Sequence, residues 1–160
     1  MKKLVVALLL LALPMSLFAD FYLGASALYK GDYANAPNDD DIVDNLAFGA
    51  DVKLTLSLFE IQGLALYNLN NSFNVYLDAG IILDFAILSI GAGIGPNFLI
   101  DFDGNYSGFG FNGKIHADIN LDSIKISAYY MFLIDDISVS DIEDSMSAGN
   151  IGVSVLFKLL

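Results

Sequence analysis

Apolar and polar positions alternate with a period of two along most of this chain. The clearest run is the last, Asn150 to Leu160. There Ile151, Val153, Val155, Phe157 and Leu159 fall on one parity, and Asn150, Gly152, Ser154, Leu156 and Lys158 on the other. Successive side chains of a strand point to opposite sides, so the run predicts a strand with one wholly apolar face. The same pattern predicts strands over about 21–30, 46–58, 73–83, 88–95, 109–120 and 124–134. In the run from 109, Phe109, Phe111, Gly113, Ile115, Ala117 and Ile119 oppose Gly110, Asn112, Lys114, His116, Asp118 and Asn120. One further segment, 61–69, does not declare its faces, because Leu64 and Leu66 share a parity with Gln62 and Asn68.

Runs of about 9 to 13 residues match the ~9–11 with which a tilted strand crosses a bilayer. Eight of them occupy roughly 90 residues and leave room for turns and long loops, whereas ten would leave too little. The expected fold is all-β: an eight-stranded antiparallel up-and-down barrel of the transmembrane kind, with adjacent termini. The stretch 79–100 is apolar enough to imitate a transmembrane helix. Asp84, Pro96 and Gly80, Gly91, Gly93 and Gly95 within it favour a hairpin.

Periodicity alone does not say which face is inside. A soluble lipocalin-like barrel alternates equally well, with apolar residues inward. Three features favour the reverse. The polar parity is built largely of Gly, Ser, Asn and Ala, which suit a narrow lumen. The apolar parity carries no charge across seven strands, whereas a surface in water needs Lys and Glu. Aromatics on that parity lie near strand ends (Phe21, Tyr29, Phe48, Phe73, Phe109, Phe132 and Phe157), as in an interfacial girdle.

The start of the chain agrees. Lys2 and Lys3, the apolar run Leu4 to Leu13, Pro14 and a region ending at Ala19 predict an export signal over 1–19. As a membrane anchor, the 16 residues from Leu4 to Ala19 are short of the ~20 a helix needs and contain a proline. The absence of Cys excludes disulfides and lipoprotein attachment. The barrel domain is then 20–160, with export across an inner membrane and an outer-membrane address in a diderm bacterium.

Charge changes the picture next. Seven Lys less the two in the leader leave five against 19 acids, a formal −14, and there is no Arg. So acidic a chain has nothing to neutralise phosphates and is not expected to bind nucleic acid. Its mean hydropathy is nevertheless +0.60, so charge and apolar mass must be segregated. Lys30, Lys53, Lys114, Lys125 and Lys158 all fall on the polar parity or its rim, together with Asp51, Asp78 and Asp118. Buried charges need partners, so a lumen network of Lys53, Asp51, Asp78, Lys114, His116, Asp118, Lys125 and Lys158 is expected. A packed ionic interior is a plug rather than a pore.

Connections alternate in length. Those near 59–60, 84–85 and 121–122 are short and expected on the periplasmic side; 31–45, 99–107 and 135–148 are long and expected outside, with a tight extracellular link at 70–72. The long loops carry Asp32, Asp39, Asp40, Asp41, Asp44, Asp101, Asp103, Asp135, Asp136, Asp141, Glu143 and Asp144, 12 of the 19 acids.

On this pattern of signal, alternating strands, loop alternation and a terminal GVSVLFKL, the chain resembles the small eight-stranded outer-membrane β-barrel family, of the OmpX and OmpA-barrel type. The resemblance implies insertion by the barrel-assembly machinery, contact with lipopolysaccharide and a monomeric state. Two features depart from the family pattern: Lys158, Leu159 and Leu160 follow Phe157 where an aromatic usually ends the chain, and there is no Trp.

Candidate chemistry is sparse. His116, with Lys114 and Asp118 at alternate positions, has the makings of an acid–base centre. Some barrels of this size resemble it and are lipid A-modifying enzymes that pair His with Ser, but no Ser is placed beside His116 by sequence. A hydrogen-bonded lumen histidine is the simpler assignment. Asp101 and Asp103, and the run Asp39, Asp40 and Asp41, are weak candidates for divalent cations, being solvated acidic loops first. Gly91, Gly93 and Gly95 lack a following Lys and are not a nucleotide loop. The expectation is therefore a non-enzymatic barrel without a cofactor, structural or surface-interacting. A lipid-modifying barrel enzyme and a narrow, porin-like channel are the alternatives.

Overall fold

A computed structural model describes residues 19–31, 45–69, 72–101, 107–134 and 149–160. It contains eight strands: β1 (Ala19–Lys30), β2 (Leu46–Leu56), β3 (Phe59–Asn68), β4 (Ser72–Phe85), β5 (Leu88–Asp101), β6 (Ser107–Leu121), β7 (Ile124–Ile134) and β8 (Asn150–Lys158). Each pairs antiparallel with its chain neighbours, and β8 returns to β1, closing the barrel in sequence order. The apolar stretch 79–100 is the β4–β5 hairpin, as its glycines and Pro96 anticipate. Of the expected signal, only Ala19 lies among the described residues, and it opens β1.

Closure leaves no unpaired edge. Register at the seam runs from Tyr22↔Lys158 to Lys30↔Asn150. Beyond β8, the Leu159 amide donates to the Phe21 carbonyl at 2.8 Å and the Phe21 amide to the Leu160 carbonyl at 3.2 Å. Gly24 permits the close approach of β1 and β8 at this seam: a Cβ there would collide with the Val155 carbonyl.

The short connections are the pairs Ser57–Leu58, Ala86–Ile87 and Asp122–Ser123, each with its first residue at positive φ (57°, 59° and 47°). They are displaced from the expected positions. At the first of them the alternation resumes earlier than expected, so Phe59 and Glu60 belong to β3 and Glu60 points inward. Left-handed backbone is costly for Ala, which has a Cβ and no side-chain acceptor to offset it. Ala86→Gly is therefore expected to raise unfolding free energy by ~0.5–1 kcal/mol, the relief of strain exceeding the entropy glycine adds to the unfolded chain. A urea titration that leaves the midpoint unchanged would show the turn to be unstrained.

The faces are inverted relative to a protein with an apolar interior. Val153, Ile81 and Phe109 on the outer wall are 52%, 56% and 64% exposed, whereas Lys53 and Lys114 are 0% and 1% exposed. Closure also assigns β3. Glu60, Gln62, Leu64, Leu66 and Asn68 point into the barrel, and Phe59, Ile61 and Tyr67 point out.

Candidate functional site in the lumen

Two layers fill the inward face. Toward the long connections, Leu28, Ala47, Leu64, Leu66, Tyr76, Tyr129 and Met131 form a buried apolar cluster. The inward face, expected to be largely Gly, Ser, Asn and Ala, thus also carries an apolar layer. The inward parity of β3 reads as mixed because its leucines serve this layer and its Glu60 and Gln62 serve the next. Tyr129 is tied to the seam, since its hydroxyl lies 2.7 Å from Ser26 Oγ, to which Ser154 Oγ donates at 3.0 Å. At the adjoining mouth Lys30 donates to Asn68, which donates to Ser72 Oγ at 2.8 Å.

Toward the short turns lies an ionic layer. Lys53 reaches from β2 to Asp118 Oδ2 on β6 at 3.0 Å and to Glu60 Oε2 on β3 at 3.2 Å. Lys125 on β7 approaches the same Asp118 oxygen at 3.6 Å, with its ammonium 4.4 Å from the centroid of the Tyr22 ring. Ser127 donates to the other Asp118 oxygen at 2.6 Å. Lys114 on β6 pairs with Asp78 on β4 at 2.9 Å and also donates to Gln62 Oε1. Asn112 donates to Asp78 Oδ1 at 2.5 Å. Asp51 lies within this layer, where the Gln62 amide donates to both of its carboxylate oxygens at 2.7 Å.

Three buried ammonium groups (Lys53, Lys114, Lys125) thus face four buried carboxylates (Asp51, Glu60, Asp78, Asp118), with His116 as a fourth basic side chain. In so closed a space each charge is stabilised by its partners and by hydrogen bonds rather than by bulk water. Lys158, expected in the network, sits instead at its rim, paired with Asp20 at 2.6 Å and 36% exposed.

His116 Nε2 lies 3.4 Å from Glu60 Oε2 and 3.7 Å from Asp118 Oδ2. These three residues bring their ligand atoms within 4.8 Å of one another, a set able to hold a metal. Lys53 Nζ already occupies that focus, at 3.0 and 3.2 Å from the same two carboxylates. The lysine is the cation of this site. Among the described residues no serine hydroxyl hydrogen-bonds to His116, and Ser127 is engaged with Asp118.

The imidazole owes its place to Gly91, its cross-strand partner: a Cβ there would collide with Cε1 and Nε2 of the ring. Gly91→Ala is expected to cost ~1–3 kcal/mol by displacing the ring. In a His116→Ala background the same change should cost less, the remaining cost being the approach of the new Cβ to the Ile81 carbonyl at 2.9 Å. Equal costs in both backgrounds, read from denaturation midpoints, would show that the ring is not the obstacle.

The sequence places Asp51, Lys53, Asp78, Lys114, His116, Asp118 and Lys125 in the lumen, and the structure brings them together. It missed Glu60, taken for a turn residue. The signal was present, because Glu60 shares the parity of Gln62. Of the loop candidates, Asp101 ends β5, whereas Asp39, Asp40, Asp41 and Asp103 lie outside the described residues.

The geometry defines a closed eight-stranded antiparallel barrel with an apolar outer wall and a charged interior. No protein-family model matches the sequence, and no curated protein does. Among solved structures, a de novo designed protein, TMB2.3, aligns with a TM-score of 0.54 at 10% identity, covering 89% of this chain and 96% of its own. Neisserial surface protein A aligns at 0.49 and 12% identity (88% and 99% covered), and Ail, the attachment invasion locus protein of Yersinia pestis, at 0.43 and 12% (86% and 93%). The fold is all-β, a closed eight-stranded antiparallel up-and-down barrel, and the designed TMB2.3 is similar to it in overall fold.

Proposed function

We propose that this protein is an integral outer-membrane barrel with a plugged lumen, structural or surface-interacting in role, and not an enzyme. The observation that carries the reading is the inverted wall. A face on which Ile81, Phe109 and Val153 are more than half exposed is stable where the solvent is hydrocarbon and would aggregate in water. The plug is supported by the fully buried Lys53, Lys114 and Asp118, which join β2, β3, β4 and β6 across the interior beneath an apolar layer. Solute passage would require breaking these pairs, which disfavours the channel. His116 serves as a member of the network, its Nε2 lying 3.4 Å from Glu60 and 3.7 Å from Asp118.

In this reading the barrel is a monomer in contact with bilayer and lipopolysaccharide, inserted by the assembly machinery after export. The acidic long connections carry any surface role, toward divalent cations or external ligands. Cell fractionation with heat-modifiable gel mobility tests the core of the proposal. The protein should appear in the outer-membrane fraction and migrate faster unboiled than boiled. Recovery in a soluble fraction without detergent would overturn it.

A further inference from the structure

The short-turn end of the barrel is not uniformly polar, and its asymmetry points to a second contact with lipid. Two of its three tips end in large apolar residues. Leu58 and Ile87 are 57% and 65% exposed, and beside them Phe59 and Phe85 are 65% and 59% exposed. A two-residue turn in water favours Asn, Asp or Gly, and nothing in hairpin geometry calls for Leu or Ile. The third tip is Asp122–Ser123. The exposed Lys158–Asp20 pair lies at the same end on β8 and β1. Around this mouth the turn residues themselves are therefore apolar at β2–β3 and β4–β5 and polar at β6–β7, while Leu121, Leu159 and Leu160 on the remaining side are 51%, 54% and 78% exposed.

We infer that the β2–β3 and β4–β5 tips are immersed in the lipid interface, whereas the Asp122–Ser123 tip meets water. The inference rests on the reading of the wall as lipid-facing and adds how the barrel sits in the membrane. Continuity argues for lipid as the occupant. The outward row of β4 runs from Phe73 to Phe85 without a polar side chain, and that of β5 from Leu88 to Ile100 does the same. At ~3.3 Å per residue and ~40° of tilt, the β4 row rises roughly 30 Å, against ~25 Å for the usual apolar band. The excess height is accommodated by burying the tips. Among the described residues, the outward tyrosines Tyr29, Tyr67 and Tyr130 all lie toward the long connections. Polar-tipped rings thus mark one interface, and Phe59 and Phe85 stand at the other.

The chain has no tryptophan, so a single introduced indole reports its own surroundings. Leu58→Trp, Ile87→Trp, Ser123→Trp and, on the wall, Val153→Trp are each folded into phosphatidylcholine vesicles with or without acyl-chain bromine, folding being checked by heat-modifiable mobility. Bromine is expected to reduce emission roughly twofold or more at positions 58, 87 and 153, and acrylamide to quench position 123 instead. Acrylamide quenching at 58 and 87 as strong as at 123, with 153 still quenched by bromine, would overturn the inference alone. Shielding of 58 and 87 from both quenchers would place a second copy on the tips and overturn it likewise. Failure of bromine to quench position 153 would remove the lipid-facing wall itself.

Discussion

Lys53→Met is expected to lower the unfolding free energy of the barrel by ~3–5 kcal/mol, the effect of removing one partner from a buried charge cluster. The substitution keeps most of the side-chain volume and deletes only the ammonium, so the cost reports electrostatics rather than a cavity. Glu60 would lose its ion pair with Lys53, and Asp118 would keep the Ser127 hydrogen bond but, of its lysine contacts, the longer one with Lys125 at 3.6 Å. Adding Glu60→Gln to Lys53→Met should recover part of the loss, because one of the stranded carboxylates is then neutral. Urea unfolding in vesicles, followed by gel mobility, measures both. A Lys53→Met barrel as stable as the parent would mean that water reaches this layer and the pairs are incidental. A double variant weaker than the single would mean that Glu60 acts through His116 rather than through Lys53.

Val153→Lys is the corresponding change on the outer wall. It is expected to cost ~2–4 kcal/mol if its side chain meets the middle of a bilayer. The opposite holds in water: Val153 is 52% exposed, and a lysine at so open a position on a soluble protein would be neutral and would help solubility. The sign of the effect therefore identifies the solvent. Leu54→Lys on β2 should behave like Val153→Lys, whereas Val153→Leu should be tolerated. Ser154→Lys fails for a different reason, since Ser154 is 1% exposed and packed against Ser26 and the β7 side of the lumen. Folding yields of Val153→Lys equal to those of Val153→Leu would reverse the inside–outside assignment.

Much of the architecture was legible because strand alternation is local. Parity in β6 and β8 needs only neighbouring residues, and it placed Lys114, His116 and Asp118 on one face before any pairing was known. The turns were less legible. Asn-Gly or Asp-Gly announces a tight hairpin, but Ser57–Leu58 and Ala86–Ile87 do not. Missing the first of these shifted the start of β3, put Glu60 in a turn and left Leu64 and Leu66 without an interpretation. The apolar layer escaped notice for the same reason. A leucine beside a glutamine on one parity looks like a defect in the pattern until Leu28, Tyr76, Tyr129 and Met131 arrive from other strands to meet it.

By itself the sequence determined the strands, their number, the two faces of most of them and the segregation of charge onto one face. Those properties follow from a two-residue period and from counting. Only the tertiary structure decided which acid each lysine meets, because Lys53, Glu60 and Asp118 are brought together by barrel closure across strands far apart in the chain. It also decided that the lumen is layered and that exposed apolar residues ring the short-turn end. These are properties of circumference and height, which no stretch of chain possesses until register and closure set its strands side by side.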